Sequence, residues 1–181
     1  MKKIIIIYGL IGGTIVAAFM LITMPLFSDG TLDYHNGELL GYTSMVIALS
    51  MVFFGIKSYR DNHQKGAITF WKGVKIGILI TLVASVMYGL AWEYCYHNMS
   101  KDFIKSMMER SYEDMKASGK TDEQIAAYRK QSETFAPYYE MFPVRFGITL
   151  MEIFPVGAII SFASAGLLRK KEFLPPQQGN V

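Results

Sequence analysis

Three ionisable side chains fall where a membrane-spanning segment would not ordinarily hold them: Glu93, Arg145 and Glu152. The last two lie in the apolar stretch PVRFGITLMEIFPVG, residues 143–157, which also contains Pro155. A charged side chain at the centre of a bilayer costs on the order of 2.5–3.5 kcal/mol on insertion scales, so each needs a partner, a neutral form or a task. A lone embedded carboxyl can relay a proton or hold a substrate, whereas a carboxylate beside a guanidinium makes a charge-assisted pair.

By the helical rise, Glu152 lies roughly 13 Å below Pro143, close to the bilayer centre. It is expected to face the helix bundle as the neutral acid. Arg145, seven residues earlier, shares its face but lies about 10 Å nearer the outer surface, too far for a direct pair. Glu93 is the better partner for Arg145. Pro155 clashes with the carbonyl of Met151, kinks the helix and frees that acceptor. Glu152 could then donate to the freed carbonyl, or to Thr81 or Ser85. Two readings stay open: a polar staple at a proline kink, or an intramembrane proton or substrate site.

Other reactive residue types suggest less. Cys95 and His97 are two apart and His35 is remote, with no recognised metal-ligand spacing. Met107, Met108 and Met115 are of a type that suits Cu(I), but they fall on an apolar helix face where methionine fills gaps. No phosphate loop or nucleophile elbow is present. The expectation is a non-enzyme with no metal and no cofactor. Cys95 is the single cysteine, so no intramolecular disulfide can form.

The elements that must position these residues are legible in the composition. The chain has 181 residues, 51% hydrophobic and 18% charged, against about 25% charged in soluble domains. Its 18 Lys and Arg against 15 Asp and Glu cluster at the ends of apolar runs rather than in one patch, which argues against a nucleic-acid partner. Four runs are long enough to cross a bilayer: residues 4–27, 39–56, 74–94 and 143–168. The first follows Lys2 and Lys3 like a secretory signal, yet its apolar core continues through FMLITMPLF and reads as an uncleaved span.

Orientation follows from the flanks. Lys2 and Lys3 precede the first span; Lys57, Arg60, Lys65, Lys72 and Lys75 fall around the second connection; Arg169, Lys170 and Lys171 follow the last span. The first connection, SDGTLDYHNGE, has no Lys or Arg. Both termini should be cytoplasmic. Trp71 would mark the inner interface, and Trp92, Tyr94 and Tyr96 the outer one.

Small residues recur every fourth position on the third span: Gly73, Gly77, Thr81, Ser85 and Gly89. Gly9, Gly13 and Ala17 on the first span and Gly157, Ser161 and Ala165 on the last repeat the pattern. Such stripes let helix backbones approach closely in lipid, as seams within one chain, or else they form a homodimer face or the lining of a polar path.

Residues 98–142 form the one substantial polar insertion. Phe103, Met107, Met108, Tyr112 and Met115 share a helix face, and Gly119 can end that helix. Thr121 and Gln124 form a capping box for a second helix carrying Ile125, Tyr128, Phe135 and Tyr139, which Pro137 perturbs or ends. Two amphipathic helices joined by a short turn fold back as an antiparallel hairpin. The expected fold is all-α: a polytopic membrane protein forming one membrane domain over 1–181. It has four transmembrane helices, an extracytoplasmic helical hairpin at 98–142 and a short cytoplasmic tail at 169–181.

The segment FGIKSYRDNHQKGAITFWKGVKIGILITLVASVMYGLAWEYCY, residues 54–96, resembles an uncharacterised family of bacterial integral membrane proteins, a domain of unknown function. In that family a span ends in a G-I-x-x-Y-R-D-like turn, and a Gly precedes a Phe-containing re-entry into a Gly-rich span. The resemblance implies an inner-membrane location and supplies no activity or site residue. In the turn YRDNHQKG, Tyr59 and Arg60 would lie at the cytoplasmic interface beside Asp61, as an anchor or a contact site. Two functions remain: an interaction or scaffold protein meeting a partner through residues 98–142, or a small proton-linked transporter using Glu152.

Overall fold

The computed structural model describes residues 1–28, 34–98, 101–170 and 172–175. Most of the first connection, Lys171 and residues 176–181 of the tail lie outside that description, as do the side chains of His35, Asp102, Phe103 and Met107. The described residues form six helices: α1 Lys2–Ser28, α2 Tyr34–His63, α3 Phe70–Asn98, α4 Lys101–Ala117, α5 Asp122–Glu140 and α6 Phe142–Leu168. The fold is all-α. Four of the six, α1, α2, α3 and α6, are long and apolar enough to cross a membrane.

The helices outrun the apolar windows. α2 continues past residue 56 to His63, and α3 starts at Phe70 rather than at residue 74. An apolar run measures contact with hydrocarbon, while backbone hydrogen bonding carries a helix into the polar interface. What stops α2 is the reversal at Lys65 and Gly66, with φ of 51° and 81°. The turn expected over YRDNHQKG is therefore helical through His63, and Gly66 supplies the left-handed residue that ends it.

The chain divides into two compact units, residues 1–92 with 149–181 and residues 93–148. In the first unit the small-residue stripes interlock. A Cβ on Gly73 would lie 2.9 Å from the Cβ of Ala165, and one on Gly77 would lie 2.7 Å from that of Ser161. A Cβ on Gly157 would lie 2.7 Å from the Thr81 hydroxyl. The pairs 73–165, 77–161 and 81–157 step by four in opposite directions, so α3 and α6 are antiparallel along a seam that only small residues allow. Polar atoms on it are satisfied internally: Ser161 donates to the Gly157 carbonyl at 2.7 Å and Ser85 to that of Thr81 at 2.8 Å. Gly9 and Gly13 of α1 meet Val83 and Met87 of α3, and Gly12 meets the Ala48 carbonyl of α2. These stripes are seams within one chain.

The second unit holds the hairpin. Gly119, at φ 73°, closes α4, with Lys120 N–H donating to Met115 O and Gly119 N–H to Lys116 O, the paired bonds of a Schellman ending. Thr121 and Gln124 exchange the two capping-box bonds at 3.3 and 3.1 Å. α4 and α5 pack against each other; Tyr112 meets Tyr128 edge-on at 5.9 Å, and the Arg129 guanidinium lies 4.8 Å from the Tyr112 ring. Pro137 does not end α5, which runs to Glu140. The missing N–H falls in the last turn, where the carbonyl it strands, on exposed Glu133, can turn to water.

Candidate functional site

Among the described residues of the second unit, a polar constellation is built around Arg145. The last turns of α3 bring Glu93, Tyr96 and His97; the first turn of α6 brings Arg145; the end of α5 brings the carbonyls of Tyr139 and Glu140. Arg145 is 2% exposed and Glu93 8%. Nε donates to one Glu93 oxygen at 2.8 Å and Nη2 to the other at 2.5 Å, a fork-to-fork pair. Nη1 donates to the Tyr139 and Glu140 carbonyls at 3.1 and 3.0 Å. Those carbonyls belong to the last turn of α5, where no intrahelical donor remains and a cation complements the helix dipole. The Tyr96 ring lies 3.8 Å from the guanidinium carbon, a stacked cation–π contact. Tyr96 packs on this cation, while Tyr94 lies exposed.

One guanidinium thus ties α3, α5 and α6 together within the second unit. Its donors and both carboxylate oxygens are committed to each other and to backbone, which suits a lock rather than a group that turns over substrate. Removing one member of such a buried pair costs about 3–5 kcal/mol, because the other charge stays behind uncompensated. His97 is adjacent, its Nδ1 2.9 Å from the Glu93 carbonyl, with its side chain 69% exposed. Cys95 is buried, so the Cys-x-His pair is not presented together. Among the described residues, no three His, Cys, Asp or Glu side chains converge as metal ligands.

Glu152 departs from expectation. It is exposed, as are its neighbours Met151 and Pro155; it does not face the bundle or the seam. Thr81 and Ser85 are fully buried, and Thr81 lies against Gly157 and Ser161 instead. The reason is periodicity. On α6 the step of four back from Ala165 runs through Ser161, Gly157, Ile153 and Thr149 to Arg145, all of them buried. On α3 it runs from Gly73 through Gly77, Thr81, Ser85 and Gly89 to Glu93, again all buried. Each step of four overshoots a full turn by about 40°, so the buried stripe winds round the helix as it descends. It passes through Arg145 and leaves Glu152 about 100° from Ile153, outside.

A second arginine, expected as an anchor or contact site, is buried. Arg60, near the end of α2, has no exposed surface. Nε donates to Asp61 at 2.7 Å, Nη1 to the Phe173 carbonyl at 2.8 Å and more weakly to that of Leu168 at 3.4 Å, and Nη2 to the Leu174 carbonyl. Lys57 holds the other Asp61 oxygen at 2.7 Å. Arg60 thereby secures the end of α6 and residues 173–174 to α2, within the first unit, as an anchor rather than a free contact site. Its partners are backbone carbonyls, which carry no signal in a sequence.

Residues 7–170 match the model of a family described as "Protein of unknown function (DUF4199)". The chain belongs to that family. No curated protein matches it, and neither does any solved structure.

Proposed function

We propose that this member of a family without an assigned activity is a non-enzymatic membrane interaction protein, presenting residues 98–142 to a protein partner. In this reading it lies in a bacterial cytoplasmic membrane with both termini inside and the hairpin outside, as the Lys and Arg distribution favours. The observation that carries the proposal is the Arg145 lock: a buried fork-to-fork pair fixes the root of a hairpin whose outer surface is left uncovered. Along α5 an open groove of about 470 Å³ runs over Ala127, Lys130, Gln131, Thr134, Phe135 and Tyr138. Phe135 and Tyr138 are 46% and 57% exposed. The hairpin helices, residues 101–140, carry seven basic and eight acidic residues interleaved. That balance suits a protein surface better than a polyanion.

The test is photocrosslinking in membranes from probes at Glu109 and Lys120. The expected result is one discrete heterologous partner, lost with Phe135→Ala or Arg145→Met. Crosslinks to lipid alone, or a partner band indifferent to both substitutions, would refute the docking role. The carrier alternative needs Glu152 to line a polar path. Its outward position, away from Thr81, Ser85 and Ser161, favours the docking reading.

A further inference from the structure

Among the described residues, Glu152 is the one ionisable group that lies exposed near the middle of a spanning helix. α6 runs from Phe142 to Leu168, and Glu152 lies three residues from its midpoint, about 5 Å along the axis. It is therefore within a hydrocarbon core about 30 Å thick. No hydrogen-bond partner for it is found among the described residues. Hydrocarbon offers none, so a lipid-facing carboxyl there stays unsatisfied.

The surface around it is suited to another helix. Glu152, Pro155, Ile159, Ala163 and Gly166 follow one another at steps of three and four and so share one face. Ile159 is 70% exposed, and a Cβ on Gly166 would meet nothing within 4 Å. α6 is also the least enclosed of the four apolar helices, with 22% of its most apolar window buried against 50% for α3. Small residues at the lower end of this face would let a second backbone come close. Pro155 has no N–H to give the Met151 carbonyl, which leaves one more acceptor beside the acid.

The geometry points to a second copy of this chain as the occupant, joined to the first through α6 about a twofold axis near Glu152. The argument is complementarity. The other charged side chains of the four apolar helices lie near helix ends or in the Arg145 pair, so this chain offers no embedded base to meet an acid in a neighbour. What it offers is another carboxyl. A neutral carboxylic acid carries one donor and one acceptor side by side, so two of them facing across a twofold axis satisfy each other with two O–H···O bonds. This inference stands apart from the docking hairpin.

The experiment uses full-length Cys95→Ser protein in its own membranes, carrying one new cysteine and oxidised with copper phenanthroline. Ile159→Cys, on the proposed face, is expected to give a band at twice the chain mass. Leu90→Cys, 56% exposed on α3, is expected to give none. Adding Glu152→Ala should lower the Ile159 yield about threefold to twentyfold, the span from the average to the largest interhelical hydrogen bond measured in membranes. Glu152→Gln should preserve it, since a carboxamide is also self-complementary. Equal yields at both positions, indifference to Glu152→Ala, or an adduct of another mass would overturn the proposal, the last by showing a different partner on this face. Should Glu152→Ala reduce membrane abundance, donor- and acceptor-labelled Glu152 chains mixed in vesicles give the answer. Energy transfer above that of random mixing supports the pair; transfer at the random level refutes it.

Discussion

Arg145 and Glu152 lie seven residues apart on α6, nearly on one azimuth, yet Arg145 is sealed and Glu152 is exposed. A single face of a straight helix would have treated them alike. The difference shows that α6 buries a winding stripe rather than a fixed face, because small residues at every fourth position set its contact with α3. At the Arg145 end the stripe carries charges that neutralise each other; along the seam it carries glycine, serine and alanine. The protein thus holds its helices by two means, a committed ion pair in the hairpin unit and close backbone approach in the apolar unit.

The ion pair should be the more sensitive of the two. Arg145→Met strands the Glu93 carboxylate and the two α5 carbonyls, and is expected to lower unfolding stability by about 3–5 kcal/mol in detergent titrations. Adding Glu93→Leu should recover a good part of that loss, since no buried charge then remains; a double variant as unstable as the sum of the singles would break the comparison. The seam should respond next. Gly77→Ala places a Cβ 2.6 Å from the Ser161 hydroxyl and is expected to cost about 1–3 kcal/mol. Gly147→Ala, where nothing lies within 4 Å, should stay within about 0.5 kcal/mol. Equal effects of the two would mean that the seam is not closely packed. A local effect is expected in the hairpin turn: Thr121→Ala removes one arm of the capping box at a cost of about 1 kcal/mol, read as faster amide exchange at the start of α5.

Much of this organisation is visible in the residues. The four apolar runs, Gly119, the capping box at Thr121 and Gln124, and the pairing of Glu93 with Arg145 all follow from local chemistry and helix periodicity. The position of Glu152 depends on which period is followed. Counting by sevens from Arg145 puts the acid inside, whereas counting by fours from Ala165, as the small residues dictate, puts it outside. The same count extended along α3 from Gly89 arrives at Glu93. Arg60 is legible as an anchor beside Asp61 but not as a buried residue, because backbone carbonyls at Leu168, Phe173 and Leu174 receive it. The ends of α2 and α3 were similarly hidden, since hydropathy records lipid contact and not hydrogen bonding.

The most direct test of the winding seam is a pair of double-cysteine variants in a Cys95→Ser background, oxidised in membranes. Gly77→Cys with Ser161→Cys should form an intramolecular disulfide once the backbones part by the roughly 1 Å that disulfide geometry requires, because these positions face each other across α3 and α6. Ser85→Cys with Glu152→Cys should not, because residue 152 is exposed and lies off the buried stripe that meets α3. A disulfide between 85 and 152, with none between 77 and 161, would put Glu152 on the bundle side and contradict the account.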